Sequence, residues 1–558
     1  MMEIQRLILF VVFSFSLLLL WEAWQKEHKP QPAAVATAPA ATAASSNSGV
    51  PTPTPALPAA TTAVPAAAPV PAGPVAQTHE RVHVATDLLR VEIDTLGGDI
   101  VALELLTHPD TVDKEKNFVL LGPQHRYAAQ SGLIGDGLPN HKTLYSAKET
   151  KYALEQGKNT IEVRLDAAGI NAANGVQVTK IITFHRGSYL IDIAHEVRNA
   201  SSAPLSAHTY LQLTRDGKSP DGSQAMMYTY TGAAVYTQKE NFRKVDFSDI
   251  DQGKTNYPKT ADNGWIALLQ HYFVTAVILP EQQTREFYTK KLADNFYAVG
   301  AIVPVAAIAP GGVGKAKVSL YAGPEEQDKL KEIAPGLELV VDYGWLTVIA
   351  APLFWVLQFF HGWLGNWGLA IIFLTVCIKL VFYPLSAASY RSMAKMKLVT
   401  PRLVKIREQH ANDRMKQNQA MMDLYKEEKI NPLGGCLPVV VQIPVFISLY
   451  WVLLASVELR HAPFYGWITN LAVEDPYYIL PALMMASMIV QTKMSPTPPD
   501  PVQAKVMQIM PLVFGVMFFV FPAGLVLYWL VNNVLSIAQQ WHITRMIEGQ
   551  RAAVSPKR

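Results

Sequence analysis

The chain has 558 residues, half of them hydrophobic, and a formal net charge of +3. Charged residues make up 17%, below the roughly 25% usual for soluble domains, and the apolar excess is clustered, which points to a membrane protein with a soluble part. The two cysteines, Cys377 and Cys436, fall in apolar stretches, and there is no metal-ligand spacing and no phosphate-binding glycine motif, so disulfide scaffolds, metal cofactors and nucleotide hydrolysis are not expected.

Residues 7–20 form a continuous apolar run, flanked by Arg6 and by Trp21 and Trp24. Ala34-Val35-Ala36 fits a signal-cleavage consensus, but it lies beyond the charged stretch 22–29, further than a cleaved signal allows. Residues 1–28 therefore read as an uncleaved signal-anchor helix with aromatic residues at its outer interface. Residues 29–79 are nearly all Ala, Pro, Thr, Val and Ser, without a charge from 30 to 78. They cannot bury a core and read as a tether.

Residues 80–335 change character. "RVHVATDLLRVEID" and "VQVTKIITFHRGSYLIDIAHEV" alternate apolar and polar residues between Gly, Asn and Asp turns, the signature of half-buried strands. No long helical pattern interrupts, apart from a short one near 325–333, and the expectation is a large all-β sandwich. His185, His195 and His208 raise the possibility of an extracytoplasmic sugar enzyme, although strand or surface histidines are the simpler reading.

Apolar segments then follow at 345–363, 366–386, 433–457, 477–492, 506–521 and 523–541. Residues 386–432 carry ten Lys/Arg against five acids, and the tail 542–558 is also basic. Basic flanks stay in the cytoplasm. With the anchor leading outward and the β region outside, the ten basic residues end inside only if one of the first two segments does not cross. Segment 345–363, interrupted by Pro352, Gln358, His361 and Gly362 and rich in Trp and Phe, is the better candidate for an interfacial amphipathic helix. Six crossings result, the anchor plus five. Segment 506–521 is short at 16 residues, against the roughly 20 that a bilayer needs, and local thinning of the bilayer would ease passage of a polar segment.

Residues 387–432 read as a cytoplasmic hairpin of two helices turning near Asn412-Asp413. Met393, Met396, Met415, Met421 and Met422 recur in it. They are either seam fillers or an adaptable docking surface for varied apolar ligands.

Lys379 is the one charge inside the six apolar segments. Thr375, Lys379 and Tyr383 follow at intervals of four and share a helix face. In the last segment Tyr528, Asn532 and Ser536 repeat the spacing next to Trp529, and Gln442 stands between Pro438 and Pro444. Polar side chains in hydrocarbon face the bundle interior or a wet cavity, so three segments can share a polar surface open to the cytoplasm. Snorkelling of Lys379 to the interface is the competing explanation, as is plain interhelical hydrogen bonding for Asn532 and Asn533.

"NPLGGCLPVVVQIPVFISLYW" (431–451), "DPYYILP" (475–481), "KMSP" (493–496) and "FPAGLVLYWLVNN" (521–533) resemble the YidC/Oxa-type family of membrane-protein insertases, in its Gram-negative form with a large periplasmic domain. The resemblance spans the whole chain. It implies a multi-domain inner-membrane protein: a periplasmic galactose-mutarotase-like β-supersandwich, and a helical core of five spans with a separate N-terminal anchor. It further implies a hydrophilic groove closed to the outside, formed by Lys379, Thr375, Tyr383, Gln442, Tyr528, Trp529, Asn532 and Ser536. The groove's positive residue would attract acidic parts of a client, and Lys379 takes the place where the family usually has arginine. The hairpin methionines would contact clients. Implied partners are nascent membrane proteins, the lipid bilayer, the Sec translocon, and the ribosome through the basic cytoplasmic segments, with no nucleotide and no bond chemistry. A solute transporter with Lys379 as coupling site is the alternative; no internal repeat supports it.

Overall fold

Period-two patterning builds one half of the molecule and apolar helices the other. The computed structural model describes residues 49–54, 79–111, 113–168, 175–220, 229–410, 413–428, 437–495 and 501–554. The expected anchor 1–28, most of the tether, Asn412, the stretch 431–436 with Cys436, and the tail beyond 554 lie outside them. The chain divides into two compact units, with the boundary at Asp342 and Tyr343.

The first unit is a two-sheet β-sandwich. Among the described residues one sheet has ten strands and the other nine. Leu205–Asp216 pairs antiparallel with Ala128–Ile134 and Phe296–Ile308 at the centre of the first. Leu190–Asn199 does so with Val176–His185 and Val313–Pro324 in the second. The alternation read from sequence appears directly as burial: in Arg81–Ala85, Val82 and Val84 are buried and their neighbours exposed. Trp265 stacks on Tyr236 in the core at 5.7 Å between ring centroids. Two arginines are also buried, and both are satisfied. Arg285 donates to the carbonyls of Gln283, Gly264, Asp262 and Pro280, and Arg215 to those of Asp216 and Lys218 and to Gln270 Oε1, as burial of a guanidinium demands. Helix Gln327–Ile333 stands where the short helical pattern lies.

The second unit is helical: α1 Thr347–Leu364, α2 Trp367–Val381, α3 Tyr383–Gln409, α4 Arg414–Glu427, α5 Leu437–Ala455, α6 Ile479–Met494, α7 Pro501–Met517 and α8 Ala523–Val554. Helix α1 packs on α2 and α5; α8 packs on α2, α3, α5 and α6; and α7 packs on α6. Large apolar side chains lie exposed along several of these helices, among them Leu380, Val381, Val490, Leu512, Val513 and Val516. Such a belt is what lipid, and not water, would cover.

Three features differ from the sequence expectations. Segment 366–386 is not one helix. It ends at Val381, and α3 leaves at 67°, because Pro384 in the first turn of α3 has no N–H to continue the ladder and restricts the residue before it. Helix α8 runs on unbroken to Val554, with no boundary at 541. Helix α1 does not have a polar exposed face. Its outer stripe is Val348, Trp355, Phe359 and Trp363, while Ala350, Phe354 and Leu357 are buried. By length and composition it is the one described helix apolar enough to cross a membrane, and the bent pair α2–α3 counts as one further candidate.

Candidate functional site

The candidate site is assembled where α2, α5 and α8 meet. Helix α2 is started by Asn366, whose side chain accepts from the Leu369 N–H at 3.0 Å, satisfying a donor that a helix start leaves free. Two residues later, Gly368 lets the loop come close: a Cβ there would stand 2.1 Å from Phe464 Cδ2. The loop between α5 and α6 is fixed by Asp475, the first residue of "DPYYILP". This buried carboxylate accepts from Trp467 Nε1 at 2.9 Å and from the N–H groups of Tyr477 and Leu480 at 3.0 and 2.7 Å. The Ala523 and Gly524 N–H groups then donate to the loop carbonyls of Val473 and Leu471, so the loop is tied to the start of α8.

Within this frame Lys379 is half-buried and donates from Nζ to Ser536 Oγ at 2.7 Å. The Ser536 hydroxyl in turn donates a hydrogen bond to the Asn532 carbonyl one turn back, at 2.7 Å. The Asn532 side chain accepts from Gln442 Nε2 at 2.5 Å. Three helices are thereby joined by one run of polar contacts. Among the described residues no carboxylate takes part; the ammonium's partner is a neutral hydroxyl. Trp529 forms an apolar wall beside the run, stacked on Phe446 at 4.0 Å and edge-on to Phe518 at 4.6 Å. Tyr528 is buried behind it, near Phe446.

Two of the sequence candidates stand apart. Thr375 is fully buried and spends its hydroxyl on the Ile371 carbonyl at 2.7 Å. Tyr383 lies past the bend on α3 and is exposed. One contact was not anticipated: Tyr390 of α3 also interacts with Ser536. Asn533 makes the interhelical hydrogen bond that was the simpler reading for it, donating to Ser487 Oγ at 2.7 Å, on α6, a helix whose sequence shows no polar stripe. Adjacent asparagines on one helix, about 100° apart, are the signal that two different neighbours are addressed.

In the hairpin, Val399, Leu403 and Leu424 form a small core with Met396 and Met421 packed against it, and Arg402 pairs with Glu428 at 2.8 Å. Met393 is partly buried, whereas Met415 and Met422 are exposed at 83% and 51%, which separates seam methionines from free ones. The three histidines do not converge: His185 bonds Asp192 at 3.0 Å, His195 is buried on the neighbouring strand, and His208 belongs to the other sheet.

Two family models match most of the chain: the YidC periplasmic domain matches residues 81–356 and the 60Kd inner membrane protein model matches residues 359–550. Relatives named membrane protein insertase YidC include those of Nitrosospira multiformis and Aromatoleum aromaticum, each 56% identical with both chains covered in full. Similar solved structures include a YidC insertase crystal structure with its first transmembrane domain resolved (17% identity, 83% of this chain and 92% of that one, TM-score 0.38) and a galactose mutarotase related enzyme from Lactobacillus acidophilus (10% identity, 43% and 97%, TM-score 0.29). Matched from end to end at this identity, and by models of both its β unit and its helical unit, the chain belongs to the YidC family of membrane protein insertases.

Proposed function

We propose that the chain inserts nascent inner-membrane proteins into the bilayer and helps them fold, alone or with the Sec translocon, without bond chemistry of its own. The observation that supports this most directly is the ammonium of Lys379 set on a neutral hydroxyl among polar groups of three helices. A cation with no carboxylate beside it among the described residues can attract one that arrives with a client, and the lowered local dielectric strengthens that attraction. Helices α2, α5, α6, α7 and α8 together with the anchor make the six crossings, and α1 lies in the outer interface. The β unit is periplasmic; both termini and the α3–α4 hairpin are cytoplasmic. The basic residues of that hairpin and of the tail suit the ribosome, and the exposed methionines suit apolar client segments. The relatives named above are insertases, and nothing among them supports the transporter reading.

Replacing Lys379 with Arg, Ala and Glu, and following insertion of a client with an acidic translocated tail, tests the electrostatic step. Lys379→Arg keeps the charge and retains insertion. Lys379→Glu reverses it and lowers the rate by about tenfold or more, the factor of one lost 1.4 kcal/mol interaction. Lys379→Ala falls between. Equal insertion by all three variants and the parent would remove the electrostatic role.

A further inference from the structure

Composition gives the tether no reason to pack, yet residues 49–54, Gly-Val-Pro-Thr-Pro-Thr, lie against the ten-stranded sheet. The receiving surface is the outer face of that sheet. Cross-strand register sets Tyr288 beside Gly300, Gly300 beside Gln212, and Gln212 beside Gln130. Glu286, two residues from Tyr288, shares the face, while Leu211 and Leu213 on either side of Gln212 point into the core.

Hydrogen bonds run along the row. The Tyr288 hydroxyl donates to Gln212 Oε1 at 2.8 Å, Gln212 Nε2 to Gln130 Oε1 at 2.9 Å, and Gln130 Nε2 to Asp99 Oδ2 at 2.9 Å. The hexapeptide is held at both of its own ends. Thr54 donates its N–H to Glu286 Oε2 at 3.0 Å and its hydroxyl to Oε1 at 2.5 Å. The Gly49 carbonyl accepts from Gln212 Nε2 at 3.4 Å. Gly49 also lies against His141, whose Nδ1 is 2.6 Å from the Tyr210 hydroxyl. Between the ends Pro51 is buried. Prolines at 51 and 53 fix φ in advance, so an extended backbone is ordered at low entropic cost. A carboxylate that takes both the N–H and the hydroxyl of one residue selects threonine or serine.

We propose that this row is a binding groove for an extended threonine- and proline-containing polypeptide, and that its occupant is the chain's own tether, docked at 49–54. The docking divides the tether. Only residues 30–48 then remain as slack before the β unit, a reach of at most about 65 Å in place of about 165 Å for residues 30–78 at roughly 3.4 Å per residue.

Photo-crosslinking of the full-length protein in its membrane tests the groove. A benzophenone amino acid at position 52, which is exposed, crosslinks within the chain to peptides that contain residues 141, 212 or 286; the same probe at position 62 does not. Thr54→Asp sets a carboxylate against Glu286 and lowers the yield from position 52 by about fivefold, the effect of one modest contact. Thr54→Asp with Glu286→Lys restores it. Pro51→Asp, which leaves the sheet untouched, also releases the segment and guards against misfolding of the charge-swapped sheet. Equal crosslinking from 52 and 62, or yields indifferent to Thr54→Asp and Pro51→Asp, would overturn the groove.

Discussion

A buried histidine in the β unit shows how one residue can set the response of a fold to pH. His195 lies fully buried in Leu190–Asn199, opposite Lys180 on the neighbouring strand. Neither ring nitrogen has a hydrogen-bond partner among the described residues. Burial, with the Lys180 charge second, pushes its pKa down from 6.5 to about 3. The unfolded chain therefore takes up a proton near pH 6.5 that the folded one refuses. The neutral ring's contribution is complete above pH 6.5 and is lost as pH falls toward 3, by up to about 1.4 kcal/mol per pH unit. His195→Leu removes this term without leaving a polar atom unpaired. Pulse proteolysis in urea should show an acid-induced loss of β-unit stability between pH 6 and 4 that is shallower by about one proton, with no loss at pH 8. An unchanged slope would show that His195 is not the group that titrates. Among the helical-unit residues, spacing made Lys379, Ser536, Asn532 and Gln442 legible as a set because each projects a polar end from an otherwise apolar helix. Thr375 shows the limit of such a reading: a helical threonine can always turn its hydroxyl onto the carbonyl four residues back, and no periodicity reveals that it has done so.

Helices carried their existence plainly in the sequence and their ends less so. The bend between α2 and α3 follows from Pro384, a residue visible in the sequence. An apolar run that continues past a proline reads as one segment, so spacing groups Tyr383 with Thr375 and Lys379 although it lies past the bend. Helix α8 outlasts its apolar stretch because a helix needs no hydrophobic face to continue into water once it is nucleated. The methionines of α3 and α4 were open to two readings because the same side chain serves as core filler and as adaptable surface; burial divides them between the two. Met396 and Met421 close the hairpin seam, whereas Met415 and Met422 stand free. A photo-reactive residue at 415 or 422 should therefore crosslink a stalled client several-fold more than one at 396 or 421. Charge at the free positions, as in Met415→Lys with Met422→Lys, should lower client capture while leaving the hairpin folded. Equal crosslinking from all four positions would return the methionines to a purely structural role.

For the whole molecule the decisive quantity is a parity. Helix α1 is apolar and long enough to cross a bilayer, and its exposed stripe of Val348, Trp355, Phe359 and Trp363 suits lipid as well as an interface. Its own composition thus fails to decide whether it spans. The charge of the hairpin supports the interfacial placement proposed above. If α1 and α2 both crossed, starting from a β unit on the outer side, ten Lys/Arg of the segment 386–432 would be carried outward, against the bias that holds basic flanks in the cytoplasm. The proposed entry of clients from the cytoplasm requires the same arrangement, since on that proposal the hairpin meets the client before the groove does. Single cysteines in a Cys377→Ala, Cys436→Ala background give the reading. Trp363→Cys, at the end of α1, should react with a membrane-impermeant maleimide added to cells with a permeabilised outer membrane. Asn418→Cys, in the hairpin, should react only after the inner membrane is opened. A spanning α1 reverses both results, because position 363 would then be inside and position 418 outside. That reversal would undo the orientation of every later helix, and with it the cytoplasmic opening proposed for the groove at Lys379.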